Sequence, residues 1–186
     1  MFLNIITPCS RPQNLHLIAE SINIPKENYR WIVVFDADEI PDEIPDICEP
    51  YTVKVIGSIS GNAQRNFALD LITDGHVYFN DDDTIIQSTL WDEIKEKDAD
   101  FISFKQANKD GSVRLEGIEI KTNYIDSHNF ITSVECIKSR WVLDRYDADG
   151  IFASECFKNA KQHLYIPKVL SVYNFLKEQY KQICEF

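Results

Sequence analysis

His76-Val77-Tyr78-Phe79-Asn80-Asp81-Asp82-Asp83-Thr84 carries an apolar, strand-forming run straight into three consecutive carboxylates. Valine and the aromatics suit a buried, pleated backbone, so residues 76–79 read as a short strand. Three acidic side chains at the end of a buried strand are electrostatically costly unless a cation or hydrogen-bond donors occupy the site. A hard divalent ion answers that need, because Mg2+ or Mn2+ takes oxygen ligands from one or two carboxylates and completes its shell with substrate phosphates. An acidic turn with Thr84 capping the next segment is the plainer reading of the same residues. An EF-hand loop does not fit, because neither Asp81-Asp82-Asp83 nor Asp36-Ala37-Asp38 has the required glycine or the closing glutamate.

Outward from this stretch, short apolar runs alternate with amphipathic segments, the pattern of βαβ units around a mostly parallel sheet. Residues 3–7 read as a buried strand, and 12–22 as a helix with Leu15, Ile18, Ala19 and Ile22 on one face. Strands follow at 31–35 and 52–56, with a helix at 62–72 before the aspartates. Beyond them come a helix at 90–97, a strand at 100–104 and a polar turn at 108–111. The last part reads as strands at 129–134, 162–166 and 169–173 with a short helix at 151–159. No repeat, low-complexity run or linker divides the chain. The expectation is one α/β domain over 1–186, with a nucleotide-type half-sheet over 1–105 and a smaller mixed extension over 106–186.

In open α/β sheets ligands bind beyond the carboxyl ends of the strands, so polar residues there carry the greatest functional weight. The first strand delivers Thr7, Pro8, Ser10 and Arg11, the second Asp36 and Asp38, and the fourth the aspartate triplet. Arg65, in Gly61-Asn62-Ala63-Gln64-Arg65-Asn66, opens the helix before the triplet, where a cation could neutralise the acids or hold a base or phosphate. Asp36-Ala37-Asp38 also resembles the start of a phosphoryl-aspartate hydrolase, whose first carboxylate is a nucleophile, but the later lysine and acidic elements of that chemistry find no place here.

Composition narrows the classes. A hydrophobic share of 44% with six glycines and seven prolines among 186 residues is that of a packed globular protein. No stretch approaches the roughly 18 apolar residues of a membrane helix, so no integral membrane segment is expected. MFLNIITPCSRP has neither a basic leader nor a small-residue cleavage site and reads as a first strand. A formal charge of −11 argues against non-specific nucleic-acid binding, which depends on clustered lysine and arginine. If the chain binds a diphosphate, a divalent cation or a few placed arginines must offset that charge. The five cysteines, Cys9, Cys48, Cys136, Cys156 and Cys184, are odd in number and lack CxxC spacing, which points to incidental thiols in a reducing compartment.

Four blocks, ITPCSRP at 6–12, WIVVFDA at 31–37, GNAQRNFALDLI at 61–72 and GHVYFNDDDT at 75–84, resemble the donor-binding half of GT-A glycosyltransferases. Their wording is similar to the inverting β-1,3-glucuronyltransferase family, whose members carry TPTYSRP, WILVEDA, EQRN and VYFADDDNTY in the same order, and to small family-2-like glycosyltransferases. The likeness covers the first half of the chain. It implies a GT-A fold and a metal-dependent transfer of sugar from a nucleoside diphosphate, UDP being favoured, to the hydroxyl of a carbohydrate or glycoconjugate acceptor, with inversion by in-line displacement.

On this resemblance Thr7, Pro8 and Arg11 would line the nucleotide, Asp36 would meet the base, and Arg65 the base or the neighbouring acids. Asp81 and Asp82 would serve the ribose and the charge network. Asp83 would be the main ligand of Mn2+ or Mg2+, which bridges the diphosphate oxygens. The general base of such a transfer is a glutamate in a short helical segment, matched here by Glu155 in Ala153-Ser154-Glu155, with Asp149 as its rival. His128, with Asp126 and Asn129, precedes a strand expected to face the cleft and is placed toward acceptor hydroxyls. His16 and His76 fit a helix surface and a strand edge. The chain departs from the family where a diphosphate-binding histidine is expected near its end, since Val172-Tyr173-Asn174 stands there and His163 falls on another strand. A cytoplasmic enzyme is the expectation. The rival classes are a catalytically silent nucleotide- or carbohydrate-binding module, a nucleotidyltransferase, whose Gly-rich phosphate loop is missing from TPCSRP, and the phosphohydrolase.

Overall fold

Four parallel strands lie side by side in the order β3 (Glu49–Thr52), β2 (Tyr29–Phe35), β1 (Leu3–Cys9) and β4 (His76–Phe79). The computed structural model describes residues 1–177, so Cys184 lies outside the described residues. β7 (Phe130–Ser133) continues the sheet antiparallel to β4 and passes it to β5 (Phe101–Ala107). β5 then pairs with β6 (Val113–Leu115) antiparallel and with β8 (His163–Val172) parallel. The sheet has eight strands, of which β6 and β7 run against the rest. The expected mostly parallel sheet is therefore mixed in its second half.

Alternation along each strand separates two cores. Leu3, Ile5, Trp31, Val33 and Phe35 pack on one face with α1 (Leu15–Ser21) and α3 (Leu90–Ile94). Ile6, Ile32, Val34, Val77 and Phe79 pack on the other with α2 (Asn62–Asp70) and α4 (Ala148–Asn159). Strands buried on both faces explain why the sequence shows continuous apolar runs rather than alternation.

The structure shifts several expected boundaries. The helix expected from residue 12 begins as a 3-10 turn, Pro12–Asn14, and becomes α-helical only at Leu15. The third strand ends at Thr52, because β2 ends at Phe35 opposite it and only the Val53 amide still finds a strand carbonyl, that of Phe35. The two strands expected at 162–166 and 169–173 are one. Ile166 faces Phe104 and Val169 faces Lys105, so Pro167 and Lys168 form a bulge in β8. Proline has no amide to give a ladder, which is why the run looks broken in sequence. His163 consequently shares a strand with Val172, at its opposite end.

Cys9, Cys48, Cys136 and Cys156 are free buried thiols. Burial pushes Cys9 and Cys156 up to about 12. Among the described residues no helix is long and apolar enough to cross a membrane.

Candidate active site

β1, β2 and β4 end on the same edge of the sheet, and a cleft of about 480 Å³ opens beyond them. That volume is within the ordinary range for small-molecule sites. Pro8, Arg11, Asp36, Arg65, Asp81, Asp82, Asp83, Asp126, His128 and Asp149 all line it.

The aspartate loop is held from both sides. Asn14 Nδ2 donates to the Asp82 carbonyl at 2.7 Å, Thr84 Oγ1 donates to the Val172 carbonyl at 2.6 Å, and the Leu176 amide donates to the Asp83 carbonyl at 2.6 Å. The three carboxylates then meet different fates. Asp82 accepts from the Ser10 and Arg11 amides at 2.6 and 2.7 Å, from Ser10 Oγ at 3.1 Å and from Arg11 Nε at 2.9 Å. Both its oxygens are spent inside the protein. Asp81 pairs with Arg65 and lies 3.1 Å from His128 Nε2. Asp83 receives one contact, from Arg11 Nη2 at 3.0 Å.

The Gly61-Asn62-Ala63-Gln64-Arg65-Asn66 turn builds the opposite wall. Gly61 has φ of +75°, and a Cβ there would lie 2.5 Å from the Pro8 Cβ, so only glycine lets α2 start this close to β1. Arg65 Nη1 donates to the Ser60 carbonyl at 2.6 Å, and the guanidinium lies 4.5 Å from the centroid of the Trp141 ring. Asn62 Nδ2 donates to the carbonyls of Val142 and Arg145, and Asn66 exchanges two bonds with the Trp141 backbone. This turn therefore fixes the segment 141–145 that leads into α4.

Electrostatics follow the geometry. Burial alone would raise Asp81, but the charges of Arg65 and His128 outweigh it and hold the carboxyl well below its usual range. Burial also opposes ionisation of Asp126, yet its contact with His128 and the charge of Arg114 bring it down to about 2. His128, between Asp81 and Asp126 at 3.1 and 3.3 Å, is raised well above the ordinary imidazole value despite burial. Burial and the Asp81 charge push Asp83 up, against the partial relief of Arg11. Burial and the Asp126 charge push Asp149 up to about 6.

Solved structures share this arrangement of strands and helices. TarS from S. aureus, residues 1–349 in complex with UDP-GlcNAc, matches with a TM-score of 0.74 and 17% identity over 92% of this chain and 58% of that chain. The mannosyltransferase PcManGT from Pyrobaculum calidifontis, in complex with GDP-Man and Mn2+, matches with a TM-score of 0.67 and 15% identity over 97% and 59%. The chain has the GT-A fold. The bifunctional IspDF from Campylobacter jejuni is also similar, with a TM-score of 0.62 and 12% identity over 98% and 54%. The chain thus spans under two thirds of the length of each of these structures. No protein-family model matches the chain, and no curated protein matches it.

Within this GT-A frame three expected site residues fall outside the cleft. Thr7 is fully buried, donating to the Asn80 carbonyl at 2.7 Å and accepting from Trp31 Nε1 at 2.9 Å, so it braces β1, β2 and β4 and offers nothing to a nucleotide. Asn129 is also fully buried; its side chain accepts from the Asp126 amide at 2.8 Å and donates to the Phe104 carbonyl, a local cap rather than an acceptor contact. Glu155 lies six residues beyond Asp149 on α4, about 9 Å along the axis, where it pairs with Lys158 at 2.6 Å on the outer surface. His128 and Asp126 do line the cleft, but both are committed to the charge network. Asp38 is exposed and paired with Lys54, so Asp36 and Asp38 do not share a site.

Sequence reading missed Arg114, Trp141, Tyr146, Tyr173, Asn174 and Lys177, which also line the cleft. Tyr173 and Asn174 follow β8 directly, so the strand-end rule that selected Asp36 applies to them equally. Arg114 sits on a three-residue strand after a polar turn, and no local pattern marks it.

Among the described residues no cluster of three histidine, cysteine, aspartate or glutamate side chains could hold a metal by itself. The donor set still fits a hard cation of the kind that relies on substrate oxygens. Asp83 is the triplet carboxylate least satisfied by protein donors, receiving a single contact, from Arg11, and burial followed by the neighbouring Asp81 charge raises its carboxyl.

Proposed function

We propose that this chain is a metal-dependent glycosyltransferase that moves a sugar from a nucleoside diphosphate, UDP being favoured, to an acceptor hydroxyl by inverting, in-line displacement. The observation that carries this reading is one cleft beyond the ends of β1, β2 and β4 that gathers Asp83, whose carboxylate receives a single protein contact, from Arg11, and Asp149, whose carboxyl is raised by burial and the Asp126 charge to about 6. The neighbours' bound UDP-GlcNAc and GDP-Man with Mn2+ support the donor class and the cation.

In this reading residues 1–105 supply the donor site and the remainder supplies the acceptor side. Pro8 and Asp36 flank the nucleotide end. Asp83 is the protein ligand for Mn2+ or Mg2+, and a bound cation would neutralise the diphosphate leaving group. Asp81 and Asp126 are held ionised by Arg65, His128 and Arg114, and Asp82 is ion-paired with Arg11, so the site is charged and ordered before substrate arrives. Asp149 replaces Glu155 as the general base, because it alone of the two lines the cleft. A carboxylate near 6 is ionised at neutral pH yet basic enough to accept the hydroxyl proton.

Calorimetry with UDP, GDP and CDP, with and without Mn2+, tests the reading. Wild type is expected to bind one nucleotide in a Mn2+-dependent manner, and Asp83→Ala to lose that dependence. Failure to bind any of the three under any condition would remove the proposal.

A further inference from the structure

The mouth of the cleft carries an aromatic residue that the charge network does not use. Tyr146 is 79% exposed although it lines the cavity. Its phenol interacts with that of Tyr173, just past the end of β8, and the Arg114 guanidinium covers the Tyr173 ring at 3.9 Å from the centroid. Arg114 in turn pairs with Asp126 at 2.8 Å and hydrogen-bonds Gln106. The phenol of Tyr146 thus faces the Tyr173–Arg114 stack while most of the residue stays open to solvent.

We propose that Tyr146 is the acceptor platform, on which the ring of a neutral pyranose stacks with one hydroxyl directed toward Asp149. This rests on the glycosyltransferase reading above and names the acceptor class for it. Three features support the assignment. The backbone before Tyr146 is fixed, since Asn62 Nδ2 holds the Arg145 carbonyl at 3.0 Å, so the ring is presented from a rigid base. Only two residues, Asp147 and Ala148, separate Tyr146 from Asp149, and both Tyr146 and Asp149 line the same cavity. The arginines on either side are already matched, Arg114 to Asp126 and Arg145 to Asp147 at 2.6 Å, so the platform is apolar at its face and charge-balanced at its edge. A neutral sugar has the complementary form, with apolar C–H faces and a rim of hydroxyls. Tyrosine offers large contact area at low entropic cost, and a polar handle that fixes its position.

The test pairs a printed array of neutral oligosaccharides, probed with labelled protein in the presence of Mn2+ and the nucleotide selected by calorimetry, with the nucleotide Kd of each variant. Wild type is expected to retain at least one glycan. Tyr146→Phe keeps the ring face and should retain that glycan nearly as well. Tyr146→Ala should weaken it about tenfold or more, the scale of one lost aromatic contact, with the nucleotide Kd unchanged. Equal retention by Tyr146→Ala, or nucleotide-bound wild type that retains no glycan, overturns the platform. A nucleotide Kd that weakens in Tyr146→Ala overturns it too, by assigning the ring to the donor. Wild type that binds no nucleotide overturns the transferase reading instead, so the two failures are distinguishable.

Discussion

At the inner end of the cleft Asp81, Asp82 and Asp126 are each met by an arginine, and His128 bridges two of them. Farther along the same lining, half-buried Asp149 receives a hydrogen bond from its neighbour's amide, Gly150 N–H at 2.7 Å, and Tyr146, at the mouth, stands mostly in solvent. Oriented charge at the inner end needs no rearrangement to receive a charged ligand, which suits a diphosphate and its cation. A half-buried carboxylate without an ion pair instead has its pKa raised toward neutral pH, which suits a proton acceptor. One fold thus lowers Asp81 and Asp126 and raises Asp83 and Asp149 within a single cleft, and the opposed shifts separate the carboxylates that hold the charge network from those available to the proposed chemistry.

The sharpest way to break this contrast is Asp149→Asn, which keeps the shape and removes the proposed base. Turnover should fall by about 10²- to 10⁴-fold while the nucleotide Kd stays at the wild-type value. The base acts when deprotonated, so wild-type kcat/KM should drop as pH falls below about 6 and level off above it. That acidic limb should be absent from whatever activity Asp149→Asn retains; if the limb survives unchanged, the proton acceptor is another group.

The next largest effect tests the inner end. Arg65→Met leaves half-buried Asp81 with His128 but without its arginine, and since breaking a fully buried pair from one side costs about 3–5 kcal/mol, a smaller loss is expected for this partly exposed pair. Arg65 also holds the Ser60 carbonyl and stacks on Trp141, so the loss includes packing. Urea unfolding should show the midpoint displaced at unchanged slope. Adding Asp81→Asn to Arg65→Met should recover part of the stability, since the orphaned charge is then gone. No recovery would mean that Arg65 acts mainly through Ser60 and Trp141.

The sequence legibility of the two ends differs for the same physical reason. The inner end comes from strand termini and one helix start, where a short apolar run followed by Asp, Arg or Ser announces itself locally. β4 begins and ends where its residues place it, and Pro8, Arg11, Asp36, Arg65 and the triplet all reach the cleft. What each carboxylate does there was not readable, because Asp82 is saturated by the Ser10 and Arg11 amides and Asp83 is not, and that depends on the fold of a turn 70 residues away. Thr7 shows the same limit: strand alternation puts it into the wall rather than the cavity. The mouth is assembled from Arg114 on β6, Tyr146 before α4 and Tyr173 after β8, three segments joined only by the tertiary structure. The bulge at Pro167 and Lys168 made the strand that leads to Tyr173 look like two separate strands in the sequence.

The smallest expected effect belongs to Glu155→Gln, and it separates motif from geometry. Resemblance selected Glu155 because it stands in a short helix of the right region, and α4 does begin at the cleft with Ala148 and Asp149. A helix advances about 1.5 Å per residue and turns about 100°, so six residues carry Glu155 away from the cavity and onto the outer surface beside Lys158. An exposed i,i+3 pair is worth between zero and about 1 kcal/mol, and the substitution keeps the side chain's size. Turnover, pH profile and unfolding midpoint should all match wild type within error. A large loss of turnover in Glu155→Gln, with Asp149→Asn unaffected, would require α4 to rotate or slide by more than a turn when the acceptor binds, and would transfer the role of base from the start of the helix to its middle.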